Sequence, residues 1–285
     1  NLGRLPWNTW ETILKLWPIL LIAIGLEVVL GRGSIWGGVA LALLVLGLAA
    51  VLTLIDGGRR YFGPPSIVSP SPGGRVELRI PHGGAKRAAI EIEAGVGELH
   101  VGSGAAPDYL LEGTVLRGAG EQLEHDYRVD GGTGRFTLKS GILGFRGPWR
   151  GSGPWRLALN PAIPLTLNVR TGVGVAELDL SRLNVSEIAI RTGVGRTTLA
   201  LPRAGRVRSS IRGGVGETRV AIPPGTAARI RIYRGIGAVE VNGEYEVKDG
   251  VYTSPGFADA ANRVDVEIHG GIGHIVVARE DAGAW

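Results

Sequence analysis

The 285-residue chain contains five histidines, 26 acidic residues and no cysteine, and these set the limits on its chemistry. The histidines are His82, His100, His125, His269 and His274, and none forms an H-E-x-x-H or comparable metal-binding spacing. His269 and His274 flank a glycine turn with no third ligand beside them, which reads as two surface residues rather than a metal site. The lack of cysteine removes thiolate nucleophiles, cysteine-ligated zinc or iron–sulfur sites and disulfides. The recurrent motif is Gly-x-Gly, as Gly-Val-Gly or Gly-Ile-Gly, starting at Gly95, Gly172, Gly193, Gly214, Gly235 and Gly271. A dinucleotide site needs G-x-G-x-x-G opening a helix. After Gly193-Val-Gly comes Arg-Thr-Thr-Leu, with no third glycine and no helical pattern, so the motif reads as structural. No catalytic residue, metal or cofactor is assigned, and the chain is expected not to be an enzyme.

Binding residues are easier to nominate. Arg170, Arg191 and Arg212 each lie two residues before a glycine turn, on the outward parity. On adjacent strands they would stand roughly 4.8 Å apart and repel unless a negative group is near. Glu177, Glu187 and Glu217 could supply it, as could an acidic partner surface or anionic lipid headgroups. The stretch from Gly141 to Trp155 offers Phe145, Arg146, Trp149 and Arg150. It reads either as a contact loop, since Trp and Arg are enriched at interfaces, or as a loop whose Trp packs back on its own domain. The outward column five residues after each turn start is His100, Glu177, Thr198, Arg219, Glu240 and Val276. That mixture lacks the clustered carboxylates of a polysaccharide-cleaving site.

The elements that position these residues follow from a repeat. The central turns are spaced by 21 residues, and the outer spacings are 77 and 36. Three residues before each first glycine stand Ile92, Val169, Ile190, Ile211, Ile232 and Ile268. Six after it stand Val101, Leu178, Leu199, Val220, Val241 and Val277. This period-two pattern predicts a strand, a glycine turn and a second strand in each unit. Two short strands cannot bury their own apolar face, so the units must stack into an all-β, solenoid-like domain. Insertions are expected at about 105–160 and 243–260, the first holding strand-like Tyr109 to Leu116, His125 to Asp130 and Arg135 to Ser140.

The first sixty residues read differently. Ile13 to Leu30 is apolar apart from Lys15 and Glu27, and Ile35 to Ile55 carries no charge. At about 1.5 Å per residue, roughly 20 helical residues cross a bilayer core, so residues 1–60 are expected to form a transmembrane hairpin of two α-helices, spans 13–30 and 35–55. Trp7, Trp10, Trp17 and Trp36 cluster at the expected interfaces. Gly33, Gly37, Gly38, Ala42 and Gly47 give the second helix a small-residue face for close packing. Arg4, Lys15, Arg59 and Arg60 flank the pair while the connecting loop holds only Arg32, which places both termini and the β domain in the cytoplasm. Residues 61–74, with four prolines, form a semi-rigid linker to a β-repeat domain over 75–285. The net charge of +5 is spread over the chain without a basic tract, which argues against a nucleic-acid partner.

Two segments carry a family resemblance. Leu16-Trp-Pro-Ile-Leu-Leu-Ile-Ala-Ile-Gly-Leu26 resembles the membrane segment of LiaF-type cell-envelope stress proteins. Trp155-Arg-Leu-Ala-Leu-Asn160-Pro-Ala-Ile-Pro-Leu165-Thr-Leu-Asn-Val-Arg-Thr-Gly-Val-Gly174, with Leu178-Asp-Leu-Ser-Arg-Leu183, resembles their toast-rack β domain. The resemblance implies a non-enzymatic, membrane-anchored accessory protein that binds a signalling partner; better-known members restrain a sensor histidine kinase and can have more spans. Two other readings stand beside it: an auxiliary subunit of a larger membrane complex, and an envelope- or carbohydrate-binding protein. The partners expected are a membrane protein and the lipid bilayer, with homo-oligomerisation left open.

Overall fold

The computed structural model describes residues 74–118, 121–142 and 152–279. The expected hairpin and interface residues Trp7, Trp10, Trp17 and Trp36 lie outside these residues, as does the segment holding Phe145, Arg146, Trp149 and Arg150. Among the described residues, no helix is long and apolar enough to cross a membrane. The described residues form fifteen strands in chain order: β1 (Arg75–Pro81), β2 (Arg87–Ser103), β3 (Tyr109–Leu116), β4 (Glu121–Asp130), β5 (Thr133–Ile142), β6 (Trp155–Leu159), β7 (Leu165–Asp179), β8 (Val185–Ala200), β9 (Arg206–Ile222), β10 (Ala227–Tyr233), β11 (Ile236–Val241), β12 (Glu246–Lys248), β13 (Val251–Thr253), β14 (Arg263–His269) and β15 (Ile272–Arg279).

β2, β7, β8 and β9 each run through a Gly-x-Gly motif, so each contributes to two half-sheets. The first half-sheet is ordered β4-β5-β2-β7-β8-β9-β14-β10-β13-β12, and the second β1-β3-β6-β2-β7-β8-β9-β15-β11. The repeat units pair parallel and in register, with Val173 beside Val194 and Val194 beside Val215. The second glycine of each motif makes the corner. Gly195 has a φ of +139°, and a Cβ there would meet the Gly174 carbonyl oxygen at 1.8 Å. A side chain is therefore barred both by backbone conformation and by the approach of the next rung.

The apolar columns read from the repeat are the core. Ile92, Val169, Ile190, Ile211 and Ile268 are buried on one side of the corner, and Val101, Leu178, Leu199, Val220 and Val277 on the other. Ile232 and Val241, on the terminal rung, are only partly buried. Ser209 replaces an aliphatic residue in this core, and its buried hydroxyl has no hydrogen-bond partner among the described residues.

The structure shows two features that the repeat alone does not fix. The rung around Gly271 does not follow the one around Gly235 in space but sits between it and the Gly214 rung: β9 pairs with β14 and β15, which then pair with β10 and β11. The reason lies in the 36-residue gap. β13 folds back antiparallel on β10 and takes its outer edge, with β12 beyond it, so only the inner edge of β10 is open to β14.

The longer insertion forms a cap, with β3, β4 and β5 on its strand-like stretches. β5 and β6 stack in parallel on the two arms of β2, making an extra rung, while β4, β3 and β1 complete the edges antiparallel. Buried Asn160 fastens this cap, donating from Nδ2 to the carbonyls of Pro107 and Tyr109 and accepting from the Ala162 amide.

Candidate binding face along the glycine corner

In-register stacking turns each outward position into a column of side chains. The column two residues before the turn runs Glu93, Arg170, Arg191, Arg212, His269 and, after the rung exchange, Tyr233. Its charges are not all alike. Arg170 donates to both Glu91 and Glu93 on β2, and Lys139 lies 3.5 Å from Glu93. Burial pushes the Glu93 carboxyl up, but the Arg170 hydrogen bond and Lys139 outweigh it and hold the group below the usual carboxylate range. Arg191 and Arg212 are exposed and make no ion pair among the described residues.

The glutamates expected to answer this column are placed otherwise. Glu177 lies 3.0 Å from His100 Nδ1. Glu217 accepts from Arg196 at 3.0 Å and from Arg219 at 2.7 Å. The Arg219 hydrogen bond is the main reason its carboxyl is held below its ordinary value. No bond from Glu187 to any of the three arginines is present among the described residues. Arg170 is thus compensated by residues that the repeat did not nominate, because its neighbour on the other side is β2, whose outward column is acidic.

The residue between the two glycines was missed by sequence reasoning. Val173, Val194, Val215, Ile272 and Ile236 are 50, 49, 46, 53 and 74% exposed, and Val96 at the first rung is partly buried. The signal was present, since all six x positions are Val or Ile, but a residue inside a turn has no period-two neighbour to be compared with.

Chemically, the corner offers cations and apolar tips in fixed rows. At its far end His269 stacks on Tyr233 at 4.5 Å, and His274 lies 3.1 Å from Glu240. No group of three or more His, Cys, Asp or Glu able to hold a metal occurs among the described residues. Of the nominated stretch, residues 141–142 and 152–155 are described, and Trp155 is buried at the start of β6.

Comparison with known proteins places this architecture. A family profile described as the N-terminal domain of toast_rack, DUF2154, matches residues 70–221, just over half of the chain. The crystal structure of a candidate cell adhesion protein from Clostridium sporogenes ATCC 15579 superposes with a TM-score of 0.67 at 24% identity, covering 73% of this chain and 100% of that one. A candidate adhesin from Bacteroides fragilis NCTC 9343 covers 72% of this chain and 97% of its own at 11% identity, but a TM-score of 0.30 is too low to bear on the fold. No curated protein matches the sequence.

Proposed function

This chain belongs to the toast-rack N-terminal domain family, and from that premise we propose that it is a membrane-anchored, non-enzymatic accessory protein that works by binding. In this reading the apolar segments 13–30 and 35–55 hold it in a bilayer and contact a membrane protein partner, as the resemblance to LiaF-type proteins implies. The rack stands on the cytoplasmic side and meets an anionic surface. The observation that carries the reading is the outward column at the corner. Arg191 and Arg212 are adjacent in register, exposed and uncompensated among the described residues, while Arg170 beside them is neutralised. Like charges on neighbouring strands are unfavourable, and a bound anionic surface relieves them.

The test is purification of the full chain from its native membranes in mild detergent. One membrane protein should accompany it at a reproducible ratio and be lost when Gly37, Gly38 and Ala42 are changed to Leu. A chain recovered alone would count against an accessory role. A ratio that changes under envelope stress marks a regulator, and a fixed ratio marks a constitutive subunit.

A second reading is favoured by the solved relative described as a cell adhesion protein: the same rack on the outer side of the membrane, with adhesion or carbohydrate binding as its work. The two readings differ in the side of the membrane.

A further inference from the structure

We propose that the glycine corner is a membrane-contacting ridge, in which Val173, Val194, Val215, Ile272 and Ile236 meet the interface of an anionic bilayer and Arg191 and Arg212 engage its headgroups. The inference rests on the reading that residues 1–60 hold the chain in a membrane, and it assigns the anionic surface left open there.

Exposed apolar side chains scattered singly are ordinary on a protein surface, whereas a contiguous row is not. Five of the eight large hydrophobic side chains exposed among the described residues fall on this one line. Backbone pairing keeps them in register from Val173 to Val194, Val215, Ile272 and Ile236. At roughly 4.8 Å per rung they span about 19 Å. The fold does not require them to be apolar. The corner is dictated by the glycines, and the core by inward residues such as Ile190 and Leu199, so a serine or threonine at the tip would serve as well.

The flanks select the occupant. Arg191 and Arg212 stand three residues before Val194 and Val215, and Arg234 two before Ile236; all three are exposed and without an ion pair among the described residues. The acidic groups near the middle of the row are tied up, Glu217 by Arg196 and Arg219, and Glu93 by Arg170 and Lys139. The tips stand 46 to 74% exposed in one row beside the unpaired arginines. A broad, soft, anionic boundary suits such a row. β-Branched tips reach only the shallow interface, so headgroup attraction must contribute and the contact must weaken with salt.

The chain has no cysteine, so one engineered thiol takes one environment-sensitive fluorophore. Full-length Val194→Cys, and Asn184→Cys in a return loop as control, are labelled and reconstituted into phosphatidylcholine vesicles with or without phosphatidylglycerol. The label at 194 is expected to brighten severalfold, shift to the blue and be quenched by a lipid-borne quencher only with phosphatidylglycerol. High salt or Arg191→Glu with Arg212→Glu should reverse this, and the label at 184 should not change.

A label at 194 that stays in water while the chain floats with anionic vesicles overturns the ridge and leaves the anchor standing. Identical signals in both lipids, unchanged by the arginine variants, overturn the headgroup assignment. A blue shift already present in phosphatidylcholine, insensitive to the lipid quencher, marks a second copy as occupant and also overturns the proposal. If the chain is stripped from vesicles by alkaline carbonate, the anchoring reading fails. The ridge is then judged by whether the unanchored chain binds phosphatidylglycerol vesicles through position 194.

Discussion

Gly195 and Gly205 both have positive φ, +139° and +91°, but only at Gly195 would a Cβ meet backbone, the Gly174 oxygen at 1.8 Å. Nothing lies within 4 Å of a Cβ at Gly205. Gly205→Ala should therefore cost only backbone strain, roughly 1 kcal/mol, whereas Gly195→Ala must push adjacent rungs apart and should cost about 3 kcal/mol or more in denaturant unfolding. Equal effects would mean that rung contact does not dictate the motif. Ile190→Asp places an unpaired carboxylate in a site 1% exposed and should cost several kcal/mol. Ser209→Ala should be neutral or stabilising by up to about 1 kcal/mol, because it removes a buried hydroxyl without a partner among the described residues. The buried columns were legible in the sequence because alternation on both sides of each turn fixes parity. The exposed tips and the partners of Arg170 were not, since both depend on which strand lies alongside.

At the scale of elements, rung order is the feature that periodicity could not reveal. Every unit presents the same inward columns, so the core is satisfied whichever unit follows Gly214. What decides is the hairpin of β12 and β13, which occupies the outer edge of β10 and admits β14 to the inner one. In an otherwise cysteine-free chain, Val215→Cys with Ile272→Cys should form a disulfide on mild oxidation, because adjacent rungs bring the Cα atoms within bonding range. Val215→Cys with Ile236→Cys should not, being two rungs apart. The opposite result would restore the order of the sequence.

Rungs are also tied by charge. The carboxyls of Glu93 and Glu217 are held below their ordinary range, so their contribution to stability is present above the unfolded carboxylate pKa near 4.3 and is lost as pH falls through the lowered folded values. Thermal stability should therefore decline on acidification below about pH 4 to 5, and Glu217→Gln should shallow that decline. An unchanged acid slope in the variant would show that the Arg196–Glu217–Arg219 cluster is too solvated to matter.

At the scale of the molecule, the all-β rack and its capped ends follow from one structural rule: stacked units must bury an apolar face, and their end strands need edges covered. The family match over residues 70–221 and the 0.67 superposition agree with that reading of the repeat. The proposed binding face was half legible. Its arginine column could be counted from the turns, but its apolar ridge emerged only when the rungs were placed in register. The reading joins this rack to a membrane hairpin and puts it on the cytoplasmic side. Cysteine labelling of the full chain in intact cells tests that arrangement most directly, using Ser34→Cys in the loop between the expected spans and Asp259→Cys at an exposed position of the rack. A membrane-impermeant maleimide should modify position 34 in intact cells and position 259 only after permeabilisation, and both variants should stay with the membranes through an alkaline carbonate wash. Modification of position 259 in intact cells with position 34 protected, or release of the chain by carbonate, would contradict the account.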